Sequence, residues 1–134
     1  MRVLVLIKAD EQAETGVLPD QAYVNEMTQF NDNLVKAGVL LASEGLYPSA
    51  MGKRVKFSGG KATVIDGPFT ESKELIAGFW LWQVKSVEEA VEWVMRIPTP
   101  AGVGEGQIEI RPVFEMPDFT GEVSETEARR AAQG

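Results

Sequence analysis

Two short segments of the chain are apolar on both sides of an extended strand, and no other feature limits the possible folds so strongly. Side chains alternate between the two faces of a strand. In residues 2–8, Val3, Val5 and Ile7 alternate with Leu4 and Leu6, and in residues 78–85, Phe79 and Leu81 alternate with Trp80 and Trp82. Strands of this kind are usually buried on both faces. The sequence therefore predicts a sheet with covered central strands, whose aromatic side chains lie in a core and an interface.

The segment from Asp20 to Gly38 has the pattern of an amphipathic helix. Apolar residues recur at intervals of four, three and four, which places them on one helical face; they are Tyr23, Met27, Phe30 and Leu34. Asp20 suits the N-cap position, and Gly38 suits the residue that follows a helix C-terminus. We expect one helix here, with its apolar stripe against the sheet.

A second helix is predicted after the aromatic strand. Ser86 and Glu89 have the spacing of a capping box. The expected apolar face consists of Val87, Ala90, Val91 and Val94. Pro98 and Pro100 end the helix because proline has no N–H to donate.

The remaining segments complete the order of strands and helices along the chain, which is that of an α+β domain. Residues 39–42 and 107–113 are predicted strands, and residues 53–57 and 61–65 are predicted to form a β-hairpin around Ser58, Gly59 and Gly60. Residues 9–19 and 43–51 are predicted loops. The resulting order is strand, helix, strand, hairpin, strand, helix, strand, which is typical of a ferredoxin-like domain.

The predicted fold leaves one sheet face without helices. An antiparallel sheet that meets water on one face is normally polar there, whereas this sheet is apolar on both faces. A large apolar patch usually marks an interface. We therefore expect a homodimer with twofold symmetry, joined through the open sheet faces. The alternative is that the hairpin and the C-terminal tail fold over the same face.

The composition excludes several kinds of chemistry. The chain has no cysteine and no histidine, which rules out thiol nucleophiles, serine-histidine-aspartate triads and histidine-ligated zinc. Acid–base chemistry would depend on carboxylates, lysine or tyrosine, and an oxygen-ligated magnesium or calcium site remains possible. The glycine-rich residues 102–106 do not follow a strand, so they are a poor dinucleotide fingerprint, and no cofactor is implied.

Length and charge indicate the setting in which the chain works. Its 134 residues favour one domain, which we assign to residues 1–114, followed by a tail, residues 115–134, that forms a short helix or is mobile. The net charge of −7 argues against general nucleic-acid binding. The apolar stretch from Val3 to Ile7 is too short for a signal peptide or a membrane span. We expect a soluble cytoplasmic protein.

The tetrapeptide Asp66-Gly67-Pro68-Phe69 follows the second hairpin strand. Turn chemistry accounts for all four residues: Asp66 accepts backbone hydrogen bonds, Gly67 supplies unusual dihedrals, Pro68 stiffens the chain and Phe69 fills the core. The alternative is functional. Asp66 would then be a catalytic base, or hold a polar ligand, in a cleft between the sheet and the dimer partner.

Further candidates for ligand binding are Tyr47, Glu71, Lys73 and Arg111. Lys73 could hold an anion beside Asp66, although charged clusters such as Glu71, Lys73 and Glu74 are often only solvated. Arg111 suits carboxylate or phosphate recognition, or a structural ion pair with Glu109 or Glu44. Tyr47 could line the cleft from its loop. The hairpin is basic through Lys53, Arg54, Lys56 and Lys61, which indicates either protection against edge-to-edge aggregation or a strip that docks an anion or a partner.

An ordered series of segments resembles the YCII-related, or DGPF-motif, family. The segments are Val64 to Glu74 with the tetrapeptide, Gly78-Phe79-Trp80, Ser86 with Glu88-Glu89-Ala90, Trp93, Arg96-Ile97-Pro98 and Ile108 to Pro112, with residues 1–8 and 38–46 upstream. The resemblance spans residues 1–114 and implies a ferredoxin-like fold that assembles as a dimeric α/β barrel. Some members are described as enzymes with a histidine-aspartate pair, others as partners of extracytoplasmic sigma factors. Without histidine, only Asp66 of such a pair can be considered.

Two functions are compatible with these features. The first is a small enzyme with a carboxylate-centred cleft near Asp66, acting on a small polar or aromatic molecule. The second is a non-catalytic, dimeric module that binds a small polar or anionic ligand or, by family association, a sigma factor.

Overall fold

The computed structural model describes residues 1–16, 18–70, 74–98 and 106–116. Its strands are β1 Arg2–Lys8, β2 Leu40–Gly45, β3 Lys53–Ser58, β4 Lys61–Asp66, β5 Ile76–Gln83 and β6 Ile108–Pro112. Its helices are α1 Glu11–Glu14, α2 Gln21–Lys36 and α3 Val87–Val94, with a 3-10 turn at Ser49–Met51. None of the described helices is long and apolar enough to span a membrane.

Four of the strands form one antiparallel sheet in the order β2-β5-β1-β6. The strand that begins the chain therefore lies inside the sheet, between two strands from the second half of the sequence. This order, with two long helices on one face, agrees with the predicted ferredoxin-like α+β class. Among the described residues, strands β3 and β4 pair only with each other and form a separate two-stranded ribbon.

The core lies between the sheet and helices α2 and α3. Val3, Val5, Trp80 and Trp82 are buried on that face, where Phe30 and Leu34 of α2 and Ala90 of α3 pack against them. The ring of Phe30 meets that of Trp80 edge to face, with centroids 5.9 Å apart. Phe79 and Leu81 alternate with the two tryptophans and are only half-buried. The predicted division of the aromatic strand into two faces is therefore confirmed.

Helix α2 follows its sequence signals closely. The side chain of Asp20 accepts a hydrogen bond from the backbone N–H of Tyr23 at 2.8 Å, as an N-cap should. Gly38 has a φ of +73° just past the C-terminus, a conformation that favours glycine. Phe30 and Leu34 are buried, so the predicted apolar stripe does face the sheet.

Helix α3 is capped as predicted, but its apolar face differs in part from the prediction. Ser86 caps the N–H of Glu89 at 3.1 Å as expected, but Glu89 reaches back to the N–H of Lys85 at 2.9 Å. Val91, which we predicted on the apolar face, is exposed. Ala90 and Val94 pack against the core as predicted, and Trp93 and Ile97, the latter just beyond the helix, pack there with them. Their spacing of three, one and three residues is the usual pattern of a packed helix.

Two predicted loops contain regular structure. Helix α1 falls within residues 9–19, where Asp10 caps its first turn by accepting from the N–H of Ala13 at 2.7 Å. Strand β2 continues to Gly45, beyond the predicted end at Ala42, because Ser43 and Glu44 pair with Trp80 and Phe79 of β5. The extension of β2 arises from strand pairing that propensity does not encode.

Candidate functional site

The tetrapeptide motif lies where β4 leaves the hairpin, and its aspartate is held by the facing strand. Asp66 and Lys53 are register partners in the hairpin. The Lys53 Nζ donates to Asp66 Oδ1 at 2.5 Å, with side-chain exposures of 66% and 74%. The carboxylate therefore lies at the surface, paired with an ammonium group. We did not predict this pair, although the two-residue turn at Gly59-Gly60 sets the register of the strands on either side of it.

The glycine of the motif packs directly against the 3-10 turn. Its N–H donates to the carbonyl of Gly52 at 3.1 Å. A Cβ built on Gly67 would lie 1.8 Å from the carbonyl oxygen of Ser49, so only glycine fits at this position. The peptide bond between Gly67 and Pro68 is cis. The motif is thus shaped by close contact between two backbone segments.

Ser49 is the centre of a small polar network that the sequence did not reveal. Its hydroxyl donates to Glu14 Oε1, and its N–H donates to Glu14 Oε2 at 3.0 Å. The same hydroxyl oxygen accepts from the N–H of Phe69 at 3.0 Å. The network ties α1, the 3-10 turn and the motif together. Glu14 and Ser49 are 35 residues apart, and no local pattern links them.

The phenyl ring of the motif is covered by a cation. The guanidinium carbon of Arg54 lies 3.9 Å from the ring centroid of Phe69, which is a close cation–π contact. Phe69 is half-buried and is not among the residues of the main core. The prediction that it fills the core is therefore wrong, and the ring is covered on one side by Arg54 of the basic ribbon.

The other candidate residues are spread over the molecule. Tyr47 is exposed in the loop after β2, and Arg111 is exposed on β6. Because β2 and β6 are the two edges of a four-stranded sheet, these strands are about 14 Å apart in one protomer. Glu71 and Lys73 lie outside the described residues. Asp66, Tyr47 and Arg111 remain predicted site residues.

Arg111 takes part in a short ion-pair row on the open sheet face. Its Nη1 lies 3.3 Å from Glu109 Oε2, and Lys8 Nζ lies 3.5 Å from Glu109 Oε1. The hydrogen bond from Arg111, aided by the positive charge of Lys8, lowers the pKa of Glu109 below its usual value. Of the two pairings predicted for Arg111, the structure shows the one with Glu109.

A cleft of about 420 Å³ opens beside helices α2 and α3. Its lining consists of Glu26, Gln29, Phe30, Asn33, Trp93, Arg96 and Pro98. The Arg96 guanidinium carbon lies 4.9 Å from a ring centroid of Trp93. Nearby, burial and the charge of Glu26 raise the pKa of Tyr23. Within the described ranges, no three acidic side chains gather closely enough to hold a metal ion.

The topology and the motif together define an α+β domain of ferredoxin-like type with a basic ribbon at its motif. The sequence profile of the YCII-related domain matches residues 1–117. An uncharacterised protein of Rhizobium meliloti (strain 1021) is 30% identical over 94 residues, which cover 70% of this chain and 75% of that protein. The chain belongs to the YCII-related domain family, as its series of motifs predicted.

Proposed function

We propose that the chain works as a homodimeric binding module whose two copies join through the open sheet face. The observation that carries this proposal is the apolar centre of that face. Leu4 pairs with Leu81 and Leu6 with Phe79 in adjacent rungs of the ladder, while both long helices pack on the opposite face. A continuous apolar patch of this kind usually marks an interface.

Charges at the edge of the same face support a twofold arrangement. On β6, Glu109 stands beside Leu6 and Arg111 beside Leu4. In a face-to-face dimer, a twofold axis that lies in the interface and crosses β6 at right angles between these residues would place Glu109 opposite the partner's Arg111. It would likewise place Arg111 opposite the partner's Glu109. Complementary charges at the rim of an apolar patch fix the register of an interface.

The cleft beside α2 and α3 supports a small anionic molecule as the ligand. Its volume of about 420 Å³ is within the usual range for small-molecule sites. Arg96 provides a planar guanidinium group suited to a carboxylate, and the rings of Phe30 and Trp93 provide an apolar wall. Titration with benzoate should quench tryptophan fluorescence, and Arg96→Gln should weaken the response. No response at millimolar benzoate would overturn this assignment.

Binding, more than catalysis, agrees with the setting of Asp66. A general base needs a carboxylate within hydrogen-bond reach of its substrate, and that of Asp66 is engaged by Lys53 at 2.5 Å on an exposed ribbon. Catalysis at Asp66 stays a prediction, as does the sigma-factor partner implied by the family. A pull-down that recovers a sigma factor with the purified protein would support the latter.

Light scattering of the purified protein at micromolar concentration tests the dimer. We expect twice the chain mass for the wild type and the single-chain mass for Leu6→Glu, with an unchanged circular dichroism spectrum. Val35→Glu is the matched control, because Val35 is an exposed apolar residue of α2 on the helical side. A monomeric wild type would show that the proposal is wrong.

A further inference from the structure

The ribbon formed by β3 and β4, which we call the arm, is exposed along its whole length. All residues from 53 to 66 are exposed, including the glycine turn. At the base of the arm, Gly67 donates to Gly52 and closes the ribbon, and Arg54 of the arm covers Phe69 of the segment that follows. At six residues per strand, it extends about 20 Å from that base.

The register of the arm divides it into two unlike faces. Pairing of Val55 with Val64 and of Phe57 with Ala62 places these four apolar side chains on one face. The opposite face carries the cations Arg54, Lys56 and Lys61 beside Ile65, while the pair of Lys53 and Asp66 lies at the base of the apolar face. Phe57 is 80% exposed and Val64 60% exposed. An amphipathic ribbon with an open apolar face resembles half of an interface.

An isolated two-stranded ribbon is marginally stable in water, and it gains stability by packing against another element. Since this arm is exposed within the protomer, its apolar face is suited to packing against a second molecule. Charge favours a second copy of the chain as that molecule. Residues 53–66 carry four cations and one carboxylate, so with a net charge of −7 for the whole chain the other residues carry −10. A cationic arm and an acidic body attract each other.

The size of the open sheet face also supports a contact between the arm and a second copy of the chain. Four strands of five to six paired residues give a footprint of about 350 Å². A stable dimer usually buries about 800 Å² on each partner. An arm about 20 Å long that packs beside the sheet would enlarge this contact and so add to the area that the dimer buries.

We propose that the arm of each protomer packs its apolar face, centred on Phe57 and Val64, against the rim of the partner's open sheet face. This inference rests on the dimer proposed above and adds a second contact to it. The exchange is reciprocal, because a twofold dimer gives each copy one arm and one receiving surface.

Photo-crosslinking tests where the arm lies. Protein with benzoylphenylalanine in place of Phe57 is prepared in ¹⁵N-labelled and unlabelled form, and the two preparations are mixed and irradiated. We expect crosslinks between a labelled and an unlabelled chain that map to β1, β2, β5 or β6. Benzoylphenylalanine in place of Ile65, which faces the other side of the arm, is the control and should give none. If the probe at position 57 forms crosslinks only within its own chain, the proposal is overturned.

Measuring dimer dissociation on dilution distinguishes the contribution of the arm to dimer affinity from that of the sheet contact. We expect Phe57→Ser and Val64→Ser each to raise the dimer Kd by about tenfold or more, and the matched variant Ile65→Ser to change it little. A dimer whose Kd is unchanged by Phe57→Ser would overturn the arm contact while leaving the sheet interface intact. A wild-type protein that is monomeric would overturn both.

Discussion

The α-carbon of Gly67 lies so close to the carbonyl group of Ser49 that an added Cβ would stand 1.8 Å from the oxygen. Both groups belong to backbone segments, so neither can turn aside as a flexible side chain would. We expect Gly67→Ala to destabilise the protein by about 1–3 kcal/mol, the usual cost of forced overpacking. Urea denaturation measures the change.

Gly45→Ala is the control for this steric effect. Apart from its own chain neighbours, no atom lies within 4 Å of the Cβ that alanine would add at Gly45, so we expect a change within about 0.5 kcal/mol. Equal stabilities of the Gly67→Ala and Gly45→Ala proteins would contradict the close approach of the motif to the 3-10 turn.

The two core tryptophans should respond differently to the same substitution. Trp80 Nε1 donates to Asn31 Oδ1 at 2.8 Å, whereas the buried Trp82 Nε1 has no acceptor in the described part of the chain. Replacement by phenylalanine costs ring volume at both positions, but only Trp80→Phe also removes a hydrogen bond. We expect Trp80→Phe to lose about 1 kcal/mol more stability, measured by urea denaturation. A larger loss for Trp82→Phe would contradict this assignment.

The ion pair between Lys53 and Asp66 should contribute little to stability. Both side chains are more than half exposed, and exposed pairs typically contribute less than about 1 kcal/mol. A double-mutant cycle with Lys53→Met and Asp66→Asn measures their coupling energy. We expect this energy to fall further in molar salt. A coupling above about 2 kcal/mol would show that Asp66 has a stronger role than a surface partner.

Glu109 should titrate below the ordinary value of 4.5 for glutamate, because Arg111 donates to it and Lys8 adds positive charge. A carboxyl whose pKa is lowered in the folded state stabilises that state above its unfolded pKa, and this contribution is lost as pH falls through the folded pKa. Arg111→Gln should therefore raise the pKa of Glu109, as measured by carbon NMR titration. Arg96→Gln, beside Trp93, is the control and should leave the pKa unchanged.

The elements of the fold could be predicted because their signals lie within a few residues of one another. Asp20 and Ser86 each cap a backbone N–H three residues later. Gly59 and Gly60, both with positive φ, form the two-residue turn typical of a hairpin. Alternation alone placed Trp80 and Phe79 on opposite faces of the sheet, and the structure shows that the face of Trp80 is the core. Such local features are read directly from the sequence.

The site was less predictable because its contacts join distant residues. The side chain of Glu14 supports Ser49 from 35 positions away, and a carboxylate and a hydroxyl have many possible partners along the chain. Phe69 was expected in the core because aromatic rings are usually buried. That expectation failed because hydrophobicity does not reveal that the side chain of Arg54 covers the ring.

The position of β1 also has a consequence for the order of events during synthesis. Both neighbours of this strand, β5 and β6, come from beyond residue 75. At about 5–20 residues per second, a ribosome needs roughly 4–15 s after releasing β1 to make the first of these neighbours. During that time the apolar segment from Val3 to Ile7 cannot enter its native ladder. We therefore expect a nascent chain truncated before Ile76 to bind chaperones more strongly than the full-length chain.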